Sequence, residues 1–265
     1  MQKYLTFFYL YWQSILAYRF DTTVYALTGL ITPFLGLFIW LSVKSENQAL
    51  SFNLSEIIFY FLAVAWCSNV TTAWSAYFIS DDIKTGKILG YMAKPFSPLE
   101  NAAMNNLAEK TFKLSIVTLA VVLGWILFSL HYSLTLPIVY PLIPLSLIAL
   151  LCGMTLMILF DVCMGLAAFW LPETDFLINF YFMMDTLLTG RIIPLNFLPP
   201  FLQSISPYLP FRYIISFPIE IVMGKLSGID LIKGFILLII WTIFFWVLQK
   251  LLYAKGTKNY QSFGG

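Results

Sequence analysis

The sequence predicts an all-α integral membrane protein: six transmembrane helices, an N-terminal interfacial helix and a re-entrant helical element before the last helix. Three observations carry this. Of 265 residues, 60% are hydrophobic and 11% charged, against about 45–50% and about 25% in a soluble domain, and the mean hydropathy is +0.84. Such a chain has too little polar surface to coat a globule in water. Uncharged stretches recur at the length of about 20 residues that a helix needs to cross hydrocarbon. The charges that remain gather in a few connections.

Residues 1–20 carry Tyr4, Phe7, Phe8, Tyr9, Tyr11, Trp12, Tyr18 and Phe20 between Lys3 and Arg19. Amphipathic rings settle at the headgroup level, so this segment reads as a helix lying on the membrane face. Its polar interruptions, and the lack of a small-x-small cleavage pattern, argue against a removed signal peptide. Val24 to Val43 and Ile57 to Ser80 are uncharged and give the first two crossings. In the first, Gly29, Pro33 and Gly36 allow bending or close packing.

Asp81 to Lys113 is the longest polar stretch, with charges of both signs. Gly86 or Gly90 breaks it into short helical pieces, Lys94-Pro95 imposes an extended turn, and Ser97 or Ser80 serves as a helix cap. No Asp, Glu, Lys or Arg occurs from Leu114 to Phe160. That run is too long for one crossing and is punctuated by His131, Pro137, Pro141 and Pro144. It divides into a third helix, about Leu114 to Leu130, and a fourth from near Leu142 to about Trp170. Phe176 to Ile193 is a weaker fifth candidate because it holds Asp185 and Arg191. Residues 190–228 contain six prolines in an apolar context. Continuous helix is excluded there, and broken backbone at membrane depth is tolerated only under protein cover or in a cavity, so the stretch reads as re-entrant. Leu231 to Leu252 is the sixth crossing, with Lys233 and Lys250 near its ends, where long basic chains snorkel.

Placing the N-terminus in the cytoplasm puts ten Lys and Arg on that side and five on the other. Positive residues favour the cytoplasmic side, so both termini are expected there.

The chemistry that is missing narrows the function. Lys84-Thr85-Gly86-Lys87 lacks the upstream glycine and the following hydroxyl of a phosphate loop. HExxH and GxSxG patterns are absent, and His131, the one histidine, falls at an interfacial helix end. Cys67, Cys152 and Cys163 lie in apolar stretches without a metal or redox pattern and read as small buried hydrophobes. Nothing in this inventory supports an enzyme, and a net charge of +2 gives no reason to expect a nucleic-acid partner. No catalytic, metal or cofactor residues are expected. The intramembrane carboxylates Asp161 and Asp185 are functional suspects because a charge at the bilayer centre costs about 2.5–3.5 kcal/mol on insertion scales. Each either lines a polar path or is held structurally, Asp161 near the cytoplasmic interface and Asp185 against a neighbouring helix. Arg212 and Glu220 are placed to neutralise each other across a turn or to meet headgroups.

This order of elements resembles the membrane subunit of type-2 ATP-binding-cassette (ABC) exporters. Asp82-x-x-x-Gly86 with Lys94-Pro95 is similar to the cytoplasmic loop of a bacterial family of uncharacterised type-2 permeases. Gly190-Arg191-x-x-Pro194, Leu209-Pro210-Phe211-Arg212-Tyr213 and Phe217-Pro218-x-Glu220 are similar to its segment before the last helix. The likeness spans essentially residues 1–265 as one transmembrane domain. It implies a permease subunit in the bacterial inner membrane, forming half of a translocation pathway. Its partners would be a separate ABC ATPase subunit that binds the ATP, a second permease subunit, identical or paralogous, and membrane lipid. It implies a coupling helix inside the cytoplasmic loop of residues 81–113, within Asp81 to Tyr91, with Asp81, Asp82, Lys84, Gly86 and Lys87 as its residues. ATP-driven closure would tilt the first, second and fifth helices. Arg191, Pro194, Pro210, Arg212 and Glu220 mark the re-entrant element. The aromatic content and scarce buried charge favour a hydrophobic or amphiphilic cargo. The alternatives are an ion-coupled secondary transporter using Asp161 and Asp185, for which no inverted repeat is visible, and a non-transporting membrane scaffold.

Overall fold

The computed structural model describes residues 2–46, 51–92, 96–258 and 260, and the elements among them are helical. They are α1 (Gln2–Ala17), α2 (Arg19–Glu46), α3 (Leu54–Thr71), α4 (Ser75–Lys84), α5 (Leu89–Met92), α6 (Pro98–His131), α7 (Ile143–Leu166), α8 (Thr174–Leu188), α9 (Pro200–Ile205), α10 (Ser216–Val222) and α11 (Gly228–Lys258). Five segments are long and apolar enough to cross a membrane: Arg19–Ser45, Leu54–Lys84, Pro98–His131, Tyr140–Phe169 and Gly228–Lys258. The protein is an integral membrane protein. The expected turn at Lys94-Pro95 lies outside the described residues.

α3 runs through the middle of the bundle, with Ile57, Ile58, Tyr60, Phe61 and Val64 buried. α2, α6 and α7 pack around it. Gly36 of α2 lies against the Phe61 ring, where a Cβ would come within 2.5 Å. α2 continues through Pro33 as one helix. α11 lies alongside α7 and runs parallel to it: Phe245 stacks on Phe160 at 4.3 Å between ring centroids, and one end of both helices meets where Phe169 contacts Gly256 and Tyr260.

α6 begins at Pro98, not near Leu114. A capping box starts it, Ser97 Oγ accepting the Glu100 N–H at 3.2 Å and Glu100 accepting the Ser97 N–H at 2.8 Å, with proline at the first helical position, where its missing N–H is harmless. Residues 98–113, counted from sequence in the cytoplasmic connection, are therefore the first turns of a long helix. α1 packs along those turns. Lys3 and Tyr4 bond Glu100 at 3.1 and 2.6 Å, and Phe7 stacks on Phe96 at 3.7 Å. Ser80 caps nothing; it sits inside α4 and bonds Thr174 of α8.

The expected fifth crossing is short. α8 has 15 residues, about 22 Å of helix at 1.5 Å per residue, against about 30 Å of hydrocarbon. It ends at Thr189, and Gly190 follows with φ +90°. A side chain there would be strained, and a Cβ would also lie within 2.4 Å of the Tyr60 hydroxyl, which donates to the Gly190 carbonyl at 2.9 Å. Beyond it the chain is broken into short helical turns as far as α10, whose residues Ser216 to Ile221 are buried. Side chains of the long helices satisfy carbonyls freed by the breaks: Trp40 donates to Ile192 at 3.0 Å, Ser146 to Pro218 at 2.7 Å and Trp241 to Tyr208 at 3.1 Å. Such cover is what an interrupted backbone in a greasy environment requires.

α7 and α4 approach closely at Gly165, where a Cβ would stand 2.8 Å from the Ala76 carbonyl and 2.9 Å from Ile79 Cβ. Backbone cannot give way as a flexible side chain does. Gly165→Ala is expected to destabilise the protein by about 1–3 kcal/mol, the overpacking range, measured as loss of thermal stability in detergent.

Candidate functional site

Two regions concentrate the polar side chains. The first is the end of the bundle that carries α1, α5 and the tail of α11. Asp81, Asp82 and Lys84 occupy the last turns of α4, and Gly86 follows with φ +81° and turns the chain back. Lys87 pairs with Asp81 at 3.3 Å, and both side chains are mostly exposed, 65% and 60%. Lys84 reaches Asp175 of α8 at 3.1 Å.

Asp82 faces inward. It accepts from the Tyr91 hydroxyl at 3.0 Å; that hydroxyl accepts from Asn101 at 2.8 Å, and Asn101 accepts from Tyr11. This relay ties the α4–α5 connection to α6 and α1. Burial first, and the Asp82 carboxylate second, push the Tyr91 phenol up, so it stays protonated and donates. Tyr260 donates to the Ile83 carbonyl at 2.6 Å, fastening the same turn to the end of α11. Tyr91→Phe removes two relay bonds, the one donated to Asp82 and the one accepted from Asn101, and is expected to cost about 2–3 kcal/mol. Faster proteolytic cleavage between Asp81 and Pro98 would report it.

The second region is a break in the second span. α3 stops at Thr71 and α4 starts at Ser75; the Thr72 N–H still reaches the Ser68 carbonyl at 2.8 Å, but carbonyls at the end of α3 and N–H groups at the start of α4 lose their intrahelical partners. Two charged side chains from other helices meet these ends. Lys110 of α6, 4% exposed, donates to the Thr72 carbonyl at 3.0 Å. Asp161 of α7, fully buried, accepts the Ala76 N–H at 2.9 Å. A cation at a helix C-terminus and an anion at a helix N-terminus both oppose the local partial charge. Asn106 joins the two sides, donating to Ser75 Oγ at 3.0 Å while its carbonyl oxygen accepts from Lys110 at 2.9 Å. Sequence reasoning missed this assembly. It assigned Lys110 and Lys113 to the cytoplasmic connection, whereas both are buried in α6, and it read Ile57 to Ser80 as an unbroken crossing.

Beside the break lies a polar cavity of about 220 Å³, walled by α2, α3, α6 and the end of α8. Ser68, Asn69, Lys110, Lys113 and Arg191 line it. A second cavity, about 510 Å³, opens between the elbow of α1 and α2 and the start of α4. The two share Tyr25, Trp74, Glu109 and Lys113 in their walls.

Of the other residues singled out from sequence, Asp185 lies 3.1 Å from Arg191, just past the end of α8, rather than bonding a neighbouring helix. Arg212 and Glu220 are 2.6 Å apart. Pro194 and Pro210 precede 3-10 turns at Leu195–Phe197 and Phe211–Tyr213. Cys67 and Cys163 are buried, and the three cysteines are unpaired. No group of three or more His, Cys, Asp and Glu side chains converges into a metal site among the described residues.

The family model described as "ABC-2 family transporter protein" matches residues 28–264. The chain belongs to that family. No curated protein matches the sequence significantly. The ABC-2 match takes in most of α2, the other four long helices, the broken stretch before α11 and the break in the second span, and leaves out residues 1–27 and 265. As an ABC-2 protein the chain is a membrane permease subunit, and membership implies pairing with an ABC ATPase subunit rather than ATP hydrolysis of its own.

Proposed function

We propose that this chain is one half of the translocation pathway of an ATP-driven exporter in the bacterial inner membrane, pairing with a second permease subunit and resting on a separate ATPase. The observation that carries the proposal is the α4–α5 connection. It is a short, charged hook with exposed Asp81 and Lys87 at its tip, and its inner side is fastened to α1, α6, α8 and α11. A push on the hook thereby reaches the buried second span.

In this reading the hook end is cytoplasmic. The chain crosses six times, the fifth crossing being made jointly by α8 and the re-entrant stretch that follows. The parallel course of α7 and α11 supports this, because a connection between parallel helices must itself traverse the bundle. Consistent with that, Lys84 of the hook pairs with Asp175 at the start of α8, while Lys225, just before α11, pairs with Glu56 at the start of α3. Export is the proposed direction, since no feature among the described residues resembles a docking site for an external binding protein, and the cargo is hydrophobic or amphiphilic.

Co-reconstitution with the companion ATPase tests the proposal. The expected result is ATP turnover that rises when the chain is present, together with labelling of a cysteine at Lys84 only from the inside. Solute movement by the chain without an ATPase, or external labelling at Lys84, would overturn it.

A further inference from the structure

We propose that the polar cavity beside the break is the entry site for cargo and that it recognises an anionic headgroup, phosphate or carboxylate, of an amphiphile arriving from the membrane. This deepens the permease reading and rests on it.

The argument starts from the charges on the cavity wall. Lys113 has Glu109 as its local partner, and Arg191 has Asp185. Lys110 differs. Its acceptors are neutral, the Thr72 carbonyl at 3.0 Å and Asn106 Oδ1 at 2.9 Å, while Asp161 is engaged by the Ala76 N–H at the other end of the break. An ammonium carries three donors. Two are committed, and one remains on a side chain that lines the cavity.

Ser68 gives an independent sign. Its residue is 5% exposed, it lines the same cavity, and its hydroxyl has no partner. A buried hydroxyl left unbonded costs free energy, and an incoming acceptor would relieve it. The wall therefore offers spare donors, and the larger cavity beside it leads to the α1–α2 elbow, where aromatic side chains Tyr18 and Phe78 line the approach. The two cavities share wall residues, and the larger one sets Ile15, Tyr18 and Phe78 for an apolar body alongside polar side chains that include Asp21 and Glu109.

The test uses the full-length chain, delipidated in detergent and offered phosphatidylglycerol or phosphatidylcholine, with bound lipid counted by native mass spectrometry. The expected result is at least about tenfold preference for the anionic lipid, equivalent to about 1.4 kcal/mol. Lys110→Gln keeps a donor near Thr72 without the charge and is expected to bring the two lipids to parity. Ser68→Ala removes a hydroxyl that is unbonded in the free protein, so its thermal stability should equal or exceed the wild type's while anionic lipid retention falls about tenfold, as loss of one hydrogen bond to a charged acceptor gives. Equal retention of both lipids by the wild type, or wild-type behaviour of both variants, would overturn the inference. Displacement of phosphatidylglycerol by millimolar inorganic phosphate would overturn the membrane origin of the ligand. ATPase stimulation in the reconstituted complex is read separately: if it persists while lipid preference is absent, the entry site falls and the permease reading stands.

Discussion

Reversing the charges of Asp81, Asp82, Lys84 and Lys87 together is expected to lower ATPase stimulation by about tenfold or more, within the 5–150-fold that a coupling energy of about 1–3 kcal/mol represents, and to abolish co-purification with the ATPase. The effect is large because the side chains at the tip of the hook meet solvent, not the bundle. A simpler variant separates docking from folding. Swapping Asp81→Lys with Lys87→Glu preserves an ion pair within the hook but presents inverted charge outward. An exposed pair of this kind contributes about 0–1 kcal/mol to stability, so the swapped protein should melt as the wild type does. Its ATPase stimulation should nevertheless fall nearly as far as in the fourfold variant. Unchanged turnover in a protein that melts normally would remove the hook from the mechanism.

The second large effect is expected at Asp161. Replacing it by alanine strips the start of α4 of a charged acceptor and exposes an unbonded Ala76 N–H in the interior, at a cost of about 2–3 kcal/mol, the range for a hydrogen bond to a charged group. Asp161→Asn retains an amide oxygen facing the same N–H and should recover about half of that loss. Thermal unfolding in detergent measures both. Were Asp161 a proton-coupling carboxylate, as in the secondary-transporter alternative, the asparagine variant would unfold normally and abolish pH-driven uptake. The bond to Ala76 makes stability the expected casualty instead.

The Asp161 bond also frames the mechanical link between hook and cavity. Lys110 holds the end of α3, Asp161 holds the start of α4, and α4 ends in the hook. Closure of the ATPase against Asp81 and Lys87 would press α4 along its axis toward residues 72–74. The three unwound residues there are the point at which the span can flex, next to the wall of the polar cavity. If the hook receives the ATPase and the cavity receives cargo as proposed, one break would serve both the transmission of force and the reshaping of the entry site.

Several features of the protein follow from the sequence alone. Hydrocarbon permits few charges, so the uncharged runs located α2, the second span, α7 and α11. The polar connection carried two candidate breaks, Gly86 and Gly90, of which the fold uses Gly86, and the prolines of residues 190–228 forbade continuous helix there. Ser97 followed by Pro98 and Glu100 carries the cap that starts α6, and its full meaning, a helix beginning well before Leu114, was legible in the capping box itself.

Tertiary structure alone decided the rest. No glycine or proline lies between Thr71 and Ser75, so nothing local announces the break in the second span; it exists because Lys110 and Asp161, far apart in the chain, converge to satisfy backbone groups that helix propensity would otherwise keep paired. Composition placed Lys110 and Lys113 in water because lysine is usually there. Only the packing of α6 against α3 and α4 shows them inside. An isolated sequence reveals which groups hydrocarbon will not accept unaided, and the folded bundle reveals which partners make them acceptable, because desolvation is a property of the residue whereas its compensation is a property of the neighbours.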